Sequence, residues 1–216
     1  MADGFDEYIS LGCDCEGGFQ IRRILGHDSS NFFNWNITSL DALQRLLTHR
    51  FAGILEDANI SVHGDGALLN DHAHDYKFHS PFDRPDYLND PEFAAHFADY
   101  REKTHYLVEK FLRSRPAGHR TAYFYKAELA TSPGEIRAAM PAVRDLLAGI
   151  HGASEFALVV LQPEDRQEAP WAEPLIHNRY LRRTAPWNDA ADAHVTSWDR
   201  VFREFPSKAP MRLSGY

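Results

Sequence analysis

Six consecutive apolar residues, Phe156-Ala157-Leu158-Val159-Val160-Leu161, stand between polar neighbours. A strand with one wet face alternates apolar and polar positions, so a run without alternation reads as a strand covered on both faces. Helices laid on each side of a parallel sheet give that cover, and the flanking segments agree. Thr121-Ala122-Tyr123-Phe124-Tyr125 is an aromatic, β-type run. Pro133-Gly134 marks a turn, and Ile136, Met140, Val143, Leu146 and Leu147 follow at helical spacing. Leu175 to Leu181 reads as a further strand and Trp198, Val201, Phe202 and Phe205 as a last helix. The expectation is an α/β fold, one domain over residues 1–216 with a central mixed sheet flanked by helices.

The first half of the chain extends this pattern. Tyr8-Ile9-Ser10-Leu11-Gly12 is a short strand that runs into Cys13-Asp14-Cys15, after which Phe19, Ile21, Ile24 and Leu25 give an amphipathic helix closed by Gly26. The segment Asn31-Phe32-Phe33-Asn34-Trp35-Asn36 is too polar at alternate positions for a buried helix, and its rings are expected beside the first strand. Ser39 is placed to cap a helix through Leu40, Leu43, Leu46 and Leu47. The turn His63-Gly64-Asp65-Gly66 lies between two apolar runs and predicts a β-hairpin. Phe93, Phe97, Tyr100, Thr104, Leu107 and Phe111 predict a long helix with one buried stripe.

Charge narrows the function classes. A formal net charge of −8 argues against a nucleic-acid partner, which needs a concentrated basic surface. Arg22-Arg23 and Arg182-Arg183 are too small to reverse that; either could still hold one anionic group of a small substrate, but a solvated helix face or loop is the commoner role of such a pair. No apolar run approaches the roughly 20 residues of a membrane span. The acidic start does not read as a signal peptide, so a cytoplasmic location with free thiols is expected.

The two cysteines lie one residue apart at a strand-to-helix turn, where unpaired helix N–H groups and the dipole favour a thiolate. Cys15 is the candidate nucleophile, because Gly17 and Gly18 after it would let the backbone approach a substrate oxygen. Cys13 is expected to be packed. A nucleophilic thiol needs a base, and His72, His74, His79 and His177 are the candidates. A competing use of His72, His74, Asp75 and His79 is a metal site, since His72 and His74 on a strand would share a side; without a four-ligand spacing, no metal ligand is assigned. No phosphate-binding glycine loop and no serine-hydrolase elbow occurs. The loops Asp83–Pro91 and Gln162–Pro174 are the expected walls of a substrate pocket.

Ser10-Leu11-Gly12 followed by Cys15, then Phe33-Asn34-Trp35, the Ser39 helix, a histidine segment after a hairpin and the strand at Tyr123 resemble a bacterial family of uncharacterised domains described as papain-like cysteine peptidases. Asn34 stands where that family has an aspartate. The resemblance implies a papain-like variant of the α/β fold with Cys15 as nucleophile. It implies a histidine base in a His-Asp-Phe-like stretch: His79-Ser80-Pro81-Phe82 keeps the proline and phenylalanine, His74-Asp75-Tyr76 keeps the acid, and both are carried. Asp75, Asn178 and Asp192 are the options for a third member. Peptide hydrolysis and acyl transfer share this chemistry, the latter with coenzyme A as carrier, so the expected partner is a peptide, saccharide or other small-molecule substrate. The alternative is a non-enzymatic module that binds carbohydrate or protein through Phe32 to Trp35, with structural cysteines.

Overall fold

Strands joined by tight turns and strands joined by long crossovers end up in different sheets of this chain. The structure, a computed structural model, describes residues 4–80, 91–152 and 155–214. Among these, β1 (Glu7–Ser10), β6 (Thr121–Lys126), β7 (Phe156–Pro163) and β8 (Ile176–Leu181) form an all-parallel sheet in the order β1-β6-β7-β8. β2 (Asn36–Ile37), β3 (Ile60–His63), β4 (Leu68–Asp71) and β5 (Tyr76–His79) form an antiparallel sheet in the order β2-β5-β4-β3. The mixed α/β class is as expected, but parallel and antiparallel pairings are carried by two sheets instead of one. Parallel neighbours need a crossover of a dozen or more residues, whereas β3, β4 and β5 are hairpin neighbours separated by four-residue turns.

The helices are α1 (Glu16–Leu25), α2 (Leu40–Thr48), α3 (Pro91–Leu112), α4 (Pro133–His151) and α5 (Val195–Glu204). β7 is buried on both faces from Phe156 to Gln162, as its unbroken apolar run demands. On one face Ala122, Phe124, Val159 and Leu161 pack with Ile21 and Ile24 of α1 and with Trp198, Val201 and Phe202 of α5. On the other, Tyr123, Tyr125, Leu158 and Val160 pack with Ile136, Met140, Val143 and Leu147 of α4, and this larger core continues into α2, α3 and the antiparallel sheet. Capping follows the sequence: the Ser39 hydroxyl accepts from the Ala42 N–H at 3.1 Å, and Gly26 ends α1 at φ 75°. No helix of the described residues is long and apolar enough to cross a membrane.

This topology places a crevice. β1 leads into α1 on one face of the sheet, while its neighbour β6 leads into α4 on the other. Where adjacent parallel strands send their helices to opposite faces, the carboxyl ends separate and ligands bind there. The Cys13-Asp14-Cys15 turn and Lys126 sit at that point.

Candidate active site

Two successive residues with positive φ, Gly12 at 93° and Cys13 at 66°, fold the chain sharply from β1 into α1. Glycine adopts that conformation freely, whereas a cysteine there is uncommon and tends to occur where a local geometry is being enforced. The result brings Asp14 and Cys15 over the strand ends. The Asp14 Oδ1 accepts from the N–H of Glu16, the first residue of α1, at 3.0 Å.

The sulfur of Cys15 lies 3.8 Å from Nε2 of His79, across 64 residues of sequence. His79 ends β5, opposite Leu68 of β4, and is exposed, while Cys15 is 7% exposed. In β5, Tyr76 and Phe78 turn into the core, so Lys77 and His79 share the other face. On that face a cavity of about 560 Å³ is lined by Ile37, His63, Leu68 and Lys77. Leu68 is the direct cross-strand partner of His79, so the two share this face, although neither His79 nor Cys15 lines the cavity.

The other histidines are held elsewhere. His74 is buried with Nε2 2.8 Å from the Ala52 carbonyl oxygen, in the turn at the far end of β5 from His79. Between the two stances the sequence left open, the structure brings only His79 to the thiol. His72 bonds Ser61 and Asn70 through its two ring nitrogens, and His177 packs against the Phe205 ring on the α5 face. Residues 72–75 form a turn with Asp75 at φ 57°, not a strand, so His72 and His74 do not share a side and the expected metal cluster is not assembled. Among the described residues no three His, Cys, Asp or Glu side chains converge to hold a metal ion.

Among the described residues, no third member joins the pair. Asp75 is exposed in its turn, Asn178 bonds the backbone at Ala169 and Trp171, and Asp192 binds Arg183. Among the described residues, Cys15 is the sole hydrogen-bonding partner of the His79 ring. Pro81, Phe82 and the expected pocket loop from Asp83 to Asp90 lie outside the described residues.

Three buried charges that sequence reasoning did not single out surround the turn. The Lys126 ammonium donates to Asp14 Oδ2 at 2.5 Å, to Glu16 Oε2 at 2.7 Å and to the Ala185 carbonyl at 3.2 Å. Glu16, fully buried, also accepts from the Ala185 N–H and from the Trp198 indole N–H, both at 2.8 Å. The only sequence signal was a charged residue ending an otherwise buried strand.

Burial, together with the nearby carboxylate, reverses the expected activation of the thiol. Burial first, and the Asp14 carboxylate second, push the Cys15 thiol up to about 11, against the opposing pull of Lys126. Cys13, packed as expected with Sγ 3.9 Å from Asp14 Oδ2, is driven up further by the same two causes. The helix end that would have favoured a thiolate already serves a carboxylate. The glycines are explained by packing: a Cβ on Gly17 would lie 2.5 Å from the Ser10 hydroxyl, and one on Gly18 2.7 Å from the Asn34 carbonyl oxygen.

The aromatic segment is likewise internal. Phe32 and Phe33 are core residues and Asn34 is 1% exposed, so the segment offers no row of rings to a ligand. Only Trp35 is partly exposed, edge-on to Phe19, with the Arg22 guanidinium over both rings.

Fold and site together define an α/β domain with a thiol–imidazole pair at the carboxyl edge of a parallel sheet. No family model, no curated protein and no solved structure matches the chain.

Proposed function

We propose that this chain is a thiol-dependent hydrolase or acyltransferase, with Cys15 as nucleophile and His79 as general base. The observation that carries the reading is the 3.8 Å approach of Cys15 Sγ to His79 Nε2 at a topological switch point. Because the resting thiol is neutral, the reaction starts with proton transfer during attack and not from a standing thiolate. His79 Nε2 takes the thiol proton as Sγ bonds to the acyl carbon; collapse expels the leaving group, which receives that proton, and leaves a thioester on Cys15. Water or a substrate hydroxyl, deprotonated by His79, then displaces the thiol. Water makes the enzyme a hydrolase, and a sugar or other alcohol makes it an acyltransferase, for which a coenzyme A thioester is a suitable acyl donor. Unpaired cysteines fit a reducing, cytoplasmic setting.

Intact-mass spectrometry after exposure to p-nitrophenyl acetate tests this. One acetyl adduct is expected on the wild type and on Cys13→Ala, and none on Cys15→Ala. A much slower adduct is expected on His79→Ala. An adduct that survives loss of Cys15, or no adduct on any form, refutes the proposal.

A further inference from the structure

Several arginines on this acidic chain are paired with carboxylates. Arg23 binds Asp199, Arg115 binds Glu7, Arg179 binds Glu204, and Arg183 binds Asp192 through both Nη atoms. Three others gather at a cavity of about 650 Å³ beyond the carboxyl end of β8, lined by Arg182, Arg200, Arg203, His194, Ser197 and Glu164. Three guanidiniums face one carboxylate there, and Glu164 is already engaged by Arg200 at 3.3 Å. Among the described residues, the guanidiniums of Arg182 and Arg203 make no hydrogen bond or ion pair. Converging like charges repel, and three guanidiniums around one carboxylate leave an excess of positive charge at this cavity.

The surrounding geometry adds donors. His194 caps α5, and its Nδ1 accepts from the Ser197 N–H at 3.3 Å and lies 2.6 Å from the Ser197 hydroxyl. That hydroxyl in turn accepts from the Arg182 N–H at 3.0 Å, so its own proton goes to His194 Nδ1. An imidazole whose Nδ1 accepts carries its proton on Nε2, and Nε2 has no partner among the described residues. The positive end of α5 points the same way. The cavity also lies on the carboxyl edge of the parallel sheet, three strands from β1, roughly 14 Å at ordinary strand spacing.

We infer that this cavity is a phosphate-binding site, in which Arg182 and Arg203 supply fork-shaped contacts to a phosphate group, with Arg200 and His194 at its sides. Arginine matches phosphate oxygens in pairs, which a lone hydrated ammonium does not. The inference is independent of the thiol chemistry and stands or falls without it.

Isothermal titration calorimetry at low ionic strength, with inorganic phosphate, pyrophosphate and glycerol 3-phosphate as probes, tests it. Saturable binding of one anion per chain is expected, weakening as salt is added. Arg182→Ala/Arg203→Ala should lose about tenfold or more in affinity. Arg182→Lys/Arg203→Lys should retain part of it, and Arg183→Ala, whose guanidinium is already bound by Asp192, should behave as wild type. Tighter binding of glycerol 3-phosphate than of phosphate would identify an esterified ligand, and the reverse order a free anion. No saturable binding by any probe, or equal affinity in the double alanine variant with an unchanged circular dichroism spectrum, overturns the inference.

Discussion

Lys126→Met isolates the energetic role of the buried charges behind the thiol turn. Asp14 is 5% exposed, Glu16 0% and Lys126 4%, so removing the ammonium leaves two carboxylates in the interior. Glu16 keeps the indole N–H of Trp198 and the Ala185 N–H, and Asp14 keeps the Glu16 N–H, but neither keeps a counter-charge. Stranding one side of a buried pair costs about 3–5 kcal/mol. For a chain of this length that corresponds to a fall in Tm of roughly 6–20 °C. The loss should depend on pH with a definite sign. Without Lys126, burial lifts both carboxylates above their ordinary range, so the folded variant binds more protons than its unfolded chain, and its stability falls as pH rises through that interval. Urea titrations of wild type and variant should therefore show a wide gap at pH 8 that narrows toward pH 5. Lys126→Met/Glu16→Gln, with one carboxylate removed, should recover part of the loss. In the wild type, the two carboxylates outweigh burial and hold the ammonium above its usual range; its stabilisation is present below about pH 10 and is lost as pH climbs through the raised value. A loss below about 1 kcal/mol, or one identical at pH 5 and pH 8, would refute the claim that uncompensated buried charge is the cause.

Three further outcomes follow from other sites. Iodoacetamide should label resting Cys15 more slowly than a free thiol at pH 8, with a rate that climbs steeply toward pH 11, and Cys13 more slowly still; fast labelling at neutral pH would contradict burial as the ruling influence. His151, packed against Phe111 and Tyr123, is lowered to about 4 by burial and then by Arg115. Its folded form stays neutral while the unfolded chain takes up a proton, so about 3 kcal/mol of stability is lost as pH falls from about 6.5 toward 4. His151→Phe should flatten that acid limb in denaturant titrations, and an unchanged slope would count against it. Gly18→Ala should destabilise by about 1–3 kcal/mol in urea despite better helix propensity, because the new Cβ meets the backbone at Asn34; a neutral or stabilising effect would show that the contact relaxes.

Several elements were legible before any contact was known, and for one reason. The unbroken run at Phe156, the spacing of Ile136 to Leu147, the Ser39 cap and the glycine turn at Gly64 are signals carried by residues within a few positions of one another. Covering both faces of β7 then required helices on each side, which is why the α/β class followed. The histidine choice was not legible, because His74 and His79 each keep part of a motif. It was decided by hairpin register: a turn at residues 72–75 sends His74 to one end of β5 and His79 to the other, beside Cys15.

The thiol turn shows the same division at the level of chemistry. By itself the sequence determined that a cysteine stands between a strand and a helix, since local periodicity sets both elements. It could not determine that the thiol would be neutral. That depends first on how little water packing leaves at Sγ, and then on the Asp14 carboxylate, which is paired in the interior with Lys126 more than a hundred residues away. Helix and strand periods are short-range properties of the chain, whereas desolvation and the meeting of distant charges exist only once the tertiary fold has brought the β1–α1 turn to the end of β6 and to β5 of the second sheet.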